Sequence, residues 1–202
     1  MKISPCDLER MPQRYRAHFI NSLTGFKSAN LLGTISASGV TNLAMISSAF
    51  HLGADPALLG FICRPPSVPR HSLINLRETG FFTLNHCHET IFRQAHQTSA
   101  RYPRTVSEFA ATGLTEEYSD THPAPYVAES RIKLGLKSLE EITIQRNETV
   151  LVIGEIVEVL LPEDTLGEDG HVHIELAESL CVSGLDHYHQ THSLGRLPYA
   201  KP

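Results

Sequence analysis

The chain's 202 residues suffice for one sizeable core, so a single domain is expected over 1–202. Hydrophobic residues make up 41% and charged residues 19%, the balance of a folded rather than a disordered chain. A formal net charge of −5 excludes a general nucleic-acid or membrane-surface binder, since each needs a basic face.

Taken in chain order, residues 1–30 read as a lead-in punctuated by Pro5 and Pro12 and closing its charged stretch at Arg14–Tyr15–Arg16. Leu31 to Ala37 is apolar and β-branched, stops at Ser38–Gly39, and pairs in expectation with Val40 to Phe50 as a β-hairpin. Leu58 to Cys63, set between Asp55–Pro56 and Pro65–Pro66, reads as a third strand. Ser72 is placed to cap a short helix, Leu73 to Glu78, which ends at Gly80. Phe81 to His86 is again a strand. Residues 88–112 switch to helical spacing, with Ile91, Ala95 and Phe109 inward and a second short helix running from Ser107–Glu108 to Gly113. Tyr118 to Tyr126 reads as a surface connection. Two long strands follow, Ile132 to Ile144 and the aliphatic Val150 to Leu161, before an acidic loop at 162–170.

Strands of five to twelve residues, with helices inserted rather than alternating regularly, describe a mainly β fold with helical insertions and not a doubly wound sheet. No GxGxxG follows a strand and no GxxxxGK[ST] occurs, which removes the common dinucleotide and P-loop sites. A nucleophile elbow is also missing, so hydrolase chemistry has no motif, and Glu140–Glu141 read as solvated turn residues. The four cysteines lack CxxC spacing, and no apolar run reaches membrane-spanning or signal-peptide length. A cytoplasmic location with reduced thiols is expected, with no nucleic acid and no membrane as partner. Twelve histidines include the pairs His171/His173, His187/His189 and His86/His88, but nothing in the sequence brings further ligands to them, so no metal is expected.

The polar strand that begins at Gly39 and runs through Asn42 to Ser47–Ser48 offers amides and hydroxyls to a ligand. It is followed by Arg64, then Arg70–His71–Ser72 and Asn75, a cationic loop entering a helix. Such a combination suits a phosphorylated planar cofactor, because helix N-terminal amides and guanidinium groups both favour an anion.

These residues also carry a family resemblance. Gly39-Val40-Thr41-Asn42-Leu43-Ala44-Met45-Ile46-Ser47-Ser48, then Asp55-Pro56 and Leu58-Leu59-Gly60-Phe61, resemble the flavin reductase-like, FMN-binding split-barrel family. So does Arg70-His71-Ser72-Leu73-Ile74-Asn75-Leu76-Arg77-Glu78-Thr79-Gly80-Phe81. Ser107-Glu108-Phe109 with Gly113-Leu114-Thr115, Ala128-Glu129-Ser130, and Val152-Ile153-Gly154-Glu155-Ile156 follow in the family's order, so the likeness spans about 15–190. The family often has Pro where this chain has Met45 and Asp where it has His71.

The resemblance implies a six-stranded split β-barrel that forms a homodimer with FMN at or near the interface. Asn42, Leu43 and Ala44 would lie against the isoalloxazine, with Ser47 and Ser48 near the ribityl chain or phosphate. Arg64, Arg70 and Ser72 would hold the phosphate beside His71, Asn75 would brace that loop, and Thr98–Ser99 would reach the same groove. It further implies an oxidoreductase of the flavin reductase type, passing hydride from NADH or NADPH to a flavin and on to a small-molecule or protein acceptor. No side-chain catalyst is expected, because the cofactor carries the chemistry. An FMN-binding electron carrier or storage protein without nicotinamide turnover would share every flavin contact, and a flavin-free binding module on this scaffold is the third possibility.

Overall fold

A capping box starts the first helix, α1 (Pro5–Arg10). Ser4 Oγ accepts from the Asp7 amide at 3.3 Å, Asp7 Oδ2 accepts from the Ser4 amide at 2.8 Å, and Pro5 stands at the first helical position. The computed structural model describes residues 1–201. After α2 (Gln13–Ser22) come β1 (Lys27–Ser28), β2 (Asn30–Ile35), β3 (Thr41–Ile46), β4 (Phe50–Ala54) and β5 (Ala57–Cys63). Helix α3 (His71–Thr79) leads into β6 (Phe81–His86), followed by α4 (Phe92–Gln97), α5 (Glu108–Thr112), β7 (Glu116–Glu117) and β8 (Tyr126–Val127). The long strands β9 (Lys133–Ile144) and β10 (Thr149–Leu160) form one hairpin, and β11 (Cys181–Ser183) and β12 (His187–His189) close the order.

Seven strands make one antiparallel sheet in the order β3-β2-β6-β9-β10-β5-β4. The expected mainly β architecture with inserted helices is the one formed, and the sheet curls without closing. It has one strand more than the expected six, because Val40 to Phe50 is not one strand. Ser47–Ala49 interrupts it. There Ser48 Oγ accepts from the Ile62 amide and donates to the Ile62 carbonyl, both at 3.1 Å. A side-chain hydroxyl thus stands in for one further rung in line with the β4–β5 ladder.

Two cores lie on opposite faces of the sheet. Inside the barrel, Leu32, Phe61, Phe82, Leu84, Leu136 and Val152 pack with Leu73 and Leu76 of α3, and Phe61 meets Phe82 edge-on at 5.4 Å. Outside, Leu31 and Leu43 pack against Ile91, Ala95 and Phe109, the inward positions expected from helical spacing. Each fully buried Leu or Phe contributes roughly 1.5–3 kcal/mol through removal of apolar surface from water. Helix α3 ends as expected at Gly80, whose φ of 77° is the left-handed conformation that lets its amide close on the Leu76 carbonyl. Its start differs: Arg70 is the cap residue, no side chain caps it, and Ser72 lies inside the first turn.

Tyr118 to Tyr126 is not a surface connection throughout. His122, Ala124, Pro125 and Tyr126 are buried against the outer face of the sheet. Gly135 makes this approach possible, since a Cβ there would run into the Tyr126 hydroxyl and the His122 ring. Glu158 Oε2 accepts from Ser119 Oγ at 2.7 Å and from the Tyr126 hydroxyl at 2.5 Å, and its Oε1 accepts from Thr121 Oγ1. Glu140 and Glu141 lie within β9 rather than in a turn, with Glu141 bound to Arg77. The helical reading of 88–112 holds only for its two ends, with residues 98–106 forming a loop. A three-stranded sheet of β1, β11 and β12 was not expected; its strands are two or three residues long, and β1 pairs with residues of β11 more than 150 positions away.

Candidate functional site

Strand β3 is the spine of the site. Successive side chains point to opposite faces. Asn42 points toward α3, where its Nδ2 donates to Ser72 Oγ at 2.9 Å, and Ile46 packs on the barrel core. Leu43 and Met45 join the outer core. Ala44 is half-buried on the Asn42 side and stands opposite Leu32 in the ladder.

The outer edge of β3 has no strand beside it, and side chains take its amides instead. The Leu43 amide donates to Glu108 Oε2 at 2.9 Å, and the Met45 amide to Thr98 Oγ1 at 2.9 Å. The Leu43 amide expected to meet an isoalloxazine is therefore already engaged within the chain.

At the other end of the site, Arg64 is exposed just past β5, and Arg70 is half-buried with Nε donating to the Pro65 carbonyl at 3.2 Å. Burial, then the charges of Arg64 and Arg101, push the Arg70 pKa down, so three guanidinium groups share this corner. None of the three pairs with a carboxylate among the described residues. Burial and the neighbouring Arg104 push the His71 imidazole below its ordinary value. Across the mouth of α3, the His71, Ser72 and Leu73 amides have no acceptor among the described residues, as at any helix start lacking a side-chain cap.

The expected residues therefore divide. Arg64, Arg70 and His71 gather around the start of α3. Asn42 and Ser72 sit beside them but are bound to each other. Asn75 braces α3 against β2, its Nδ2 donating to Thr34 Oγ1 at 3.2 Å, while its Oδ1 is buried with no partner. Ser48 is committed to Ile62. Ser47 is free and lines an open cleft of about 730 Å³ with Ile20, Phe26, Lys27 and Phe50. Ser99 is exposed shortly after α4, on the loop that also carries Arg101. Sequence reasoning missed Arg101 and Glu108 as site residues and placed Thr98 in the groove rather than as a β3 anchor; the signals for them were closeness to Ser99 and the Ser107–Glu108–Phe109 motif.

Cysteine and histidine chemistry adds nothing here. Burial, then Glu141, pushes the Cys63 thiol up to about 11, and burial pushes Cys87 up to about 12, so neither is a ready nucleophile. His171 and His173 lie outside any strand. No three His, Cys, Asp or Glu side chains converge as a metal-binding group among the described residues.

The donor set fits a phosphorylated flavin at the phosphate end. Three uncompensated arginines and free first-turn amides suit a dianion. At the ring end, the half-buried run from Ala44 to Ser47 offers apolar surface and one free hydroxyl.

An antiparallel split barrel with an anion-attracting corner at its barrel-side helix is the class that this fold and site define. Residues 25–182 match the flavin reductase like domain, and the chain belongs to that family. A solved structure from Shewanella frigidimarina NCIMB 400, a candidate flavin reductase with a split barrel domain, is 48% identical. The two superimpose with a TM-score of 0.96 over 99% of this chain and 100% of that one. An uncharacterised protein of Halalkalibacterium halodurans is 30% identical over 97% of this chain and 96% of its own length. Nitrilotriacetate monooxygenase component B from Bacillus cereus has the same fold, with a TM-score of 0.85 at 20% identity over 98% of each chain.

Proposed function

We propose that this protein binds FMN and acts as an oxidoreductase of the flavin reductase type, using NADH or NADPH and serving a second acceptor. The observation that carries this reading is the uncompensated cluster of Arg64, Arg70 and Arg101 beside the uncapped start of α3, in a chain of the flavin reductase like family. FMN, when bound, would supply the redox chemistry between a nicotinamide donor and the second acceptor. The protein's part is to bind and orient. Arg64, Arg70, Arg101 and the His71–Leu73 amides hold the phosphate, Ser47 and Ser99 lie along the groove, and β3 from Asn42 to Ile46 supports the ring. Flavin chemistry of this kind needs no side-chain acid or base, so no residue is assigned a catalytic role.

A homodimer with the cofactor at or near the interface belongs to the same proposal. It is supported by the apolar residues that β9 and β10 leave exposed: Leu139, Ile142, Val157 and Val159. Four free cysteines fit a reducing cytoplasm. No helix among the described residues is long and apolar enough to cross a membrane.

The test is an absorbance spectrum of the purified protein with FMN, before and after NADH or NADPH is added without oxygen. Flavin bands near ~450 nm that one nucleotide bleaches are expected. A yellow protein that neither nucleotide bleaches would make it an electron carrier. Protein that cannot take up FMN would sink the reading.

A further inference from the structure

Two side chains take backbone amides on the free edge of β3, and only one of them, Glu108, is ionisable; Thr41 is held there through its own side chain. Thr41 Oγ1 bonds Ser107 Oγ at 2.6 Å, the Met45 amide bonds Thr98 Oγ1, and the Leu43 amide bonds the carboxylate of Glu108. Thr98 in turn donates to the Ala95 carbonyl at 2.7 Å, which fixes the start of the loop carrying Arg101. Glu108 is 5% exposed, yet no cation pairs with it among the described residues. A buried carboxylate without a counter-ion costs stability unless hydrogen bonds offset it. Here the Leu43 amide and the amide of Glu108 itself do so only in part: burial dominates and pushes its pKa above the ordinary value. The other titratable groups of this cluster are Glu116, whose Oε1 accepts from Thr41 Oγ1 at 2.6 Å, and Tyr118, which donates to Glu116 Oε2.

We propose that Glu108 is a positioning residue of the flavin site. Its carboxylate fixes the backbone of β3 at Leu43, so that flavin affinity follows the ionisation of this one group. The inference rests on the flavin reading above. A hydrogen bond to an ionised acceptor is about twice as strong as one to a neutral acceptor. Protonation therefore loosens the tether at the centre of the ring-supporting strand, and affinity falls with pH.

Stability moves the other way. An acid whose folded pKa is raised is bound more firmly to its proton in the folded state, so its own contribution to stability grows as pH falls and shrinks as pH rises. A residue that mattered only for folding would make affinity and stability rise and fall together. Opposite trends are the mark of positioning.

The experiment titrates the full chain and its Glu108→Gln variant with riboflavin from pH 5 to pH 8, with urea denaturation of both at each pH. Riboflavin is the probe because it lacks the phosphate, whose second ionisation near pH 6 would confuse the profile. Wild-type affinity is expected to drop roughly fivefold toward pH 5, a change of about 1 kcal/mol. The variant, which keeps an acceptor oxygen but no charge, is expected to show a flat profile. Its stability relative to wild type is expected to be greatest at pH 8. A Glu108→Gln profile that keeps the wild-type slope would overturn the assignment. Wild type that binds neither riboflavin nor FMN at any pH would instead bring down the flavin reading, and this inference with it.

Discussion

Glu158 and the Arg64–Arg70–Arg101 corner are two charged features of the fold that are wired in opposite ways. Glu158 receives three hydroxyl donors, from Ser119, Thr121 and Tyr126, each within 2.7 Å. The arginine corner has three cations and one bond to a carbonyl, with no paired carboxylate among the described residues. The first is a closed network that fastens the 119–126 strap to the sheet. The second is open and self-repelling, which costs stability in the absence of an anion. Polar groups that hold a fold are satisfied within the chain, whereas those that hold a ligand are left wanting.

The largest effect should come from breaking the closed network. Glu158→Ala strands the buried Tyr126 hydroxyl and two others, and is expected to cost about 3 kcal/mol, read by urea denaturation. Loss of less than about 1 kcal/mol, the net worth of a single ordinary hydrogen bond, would show that the strap is held by its apolar contacts alone. Burial tends to raise the Glu158 pKa, but the Thr121, Tyr126 and Ser119 hydroxyls outweigh it and lower it. The stability it contributes is therefore present above the ordinary carboxylate range and lost as pH falls through its depressed value.

A second closed contact sharpens the comparison. His86 Nδ1 lies 2.8 Å from Ser179 Oγ, and burial pushes the ring's pKa down to about 4. A depressed imidazole contributes stability that is fully present above 6.5 and lost as pH falls from there through about 4. His86→Gln should flatten the stability–pH curve across that window; an unchanged acid limb would exclude His86 as its source.

The open corner should give the smallest change in stability and the most selective change in binding. Arg70→Ala or Arg101→Ala is expected to weaken FMN about tenfold while leaving riboflavin nearly unchanged, an effect of about 1.4 kcal/mol. Their urea midpoints should match wild type or exceed it slightly, since a repulsion is relieved. Equal losses for both flavins, measured by fluorescence titration, would remove these residues from the phosphate end.

Local pattern made much of this legible in the sequence. The β2–β3 hairpin, β5, β6, the β9–β10 pair, the Gly80 stop and the inward Ile91, Ala95 and Phe109 all follow from short-range spacing and turn chemistry. What escaped depends on partners far along the chain. Ser48 breaks a strand because Ile62 waits opposite it. His122 and Tyr126 are buried because Gly135 leaves room above the sheet. Ser72 does not cap its helix because α3 already starts at His71, and its hydroxyl instead accepts from Asn42 across the fold. The site shows the same division. The Arg64 and Arg70–His71 loop is readable as a cluster of basic residues, but Arg101 and Glu108 reach β3 or the α3 corner only through the fold.

The hydroxyl of Ser48 also sets where this molecule breathes. The strands of the sheet are joined by runs of paired backbone groups, while Ile62, just beyond the β4–β5 pairs, is latched by one rotatable side chain. Deuterium should therefore enter the Ile62 amide well before its neighbours on β5 that face β10, and Ser48→Ala should bring that exchange close to the rate of an exposed amide. The same latch lies one residue from Ser47 and its cleft, so its opening is a local clock against which entry of a ligand from that side can be timed.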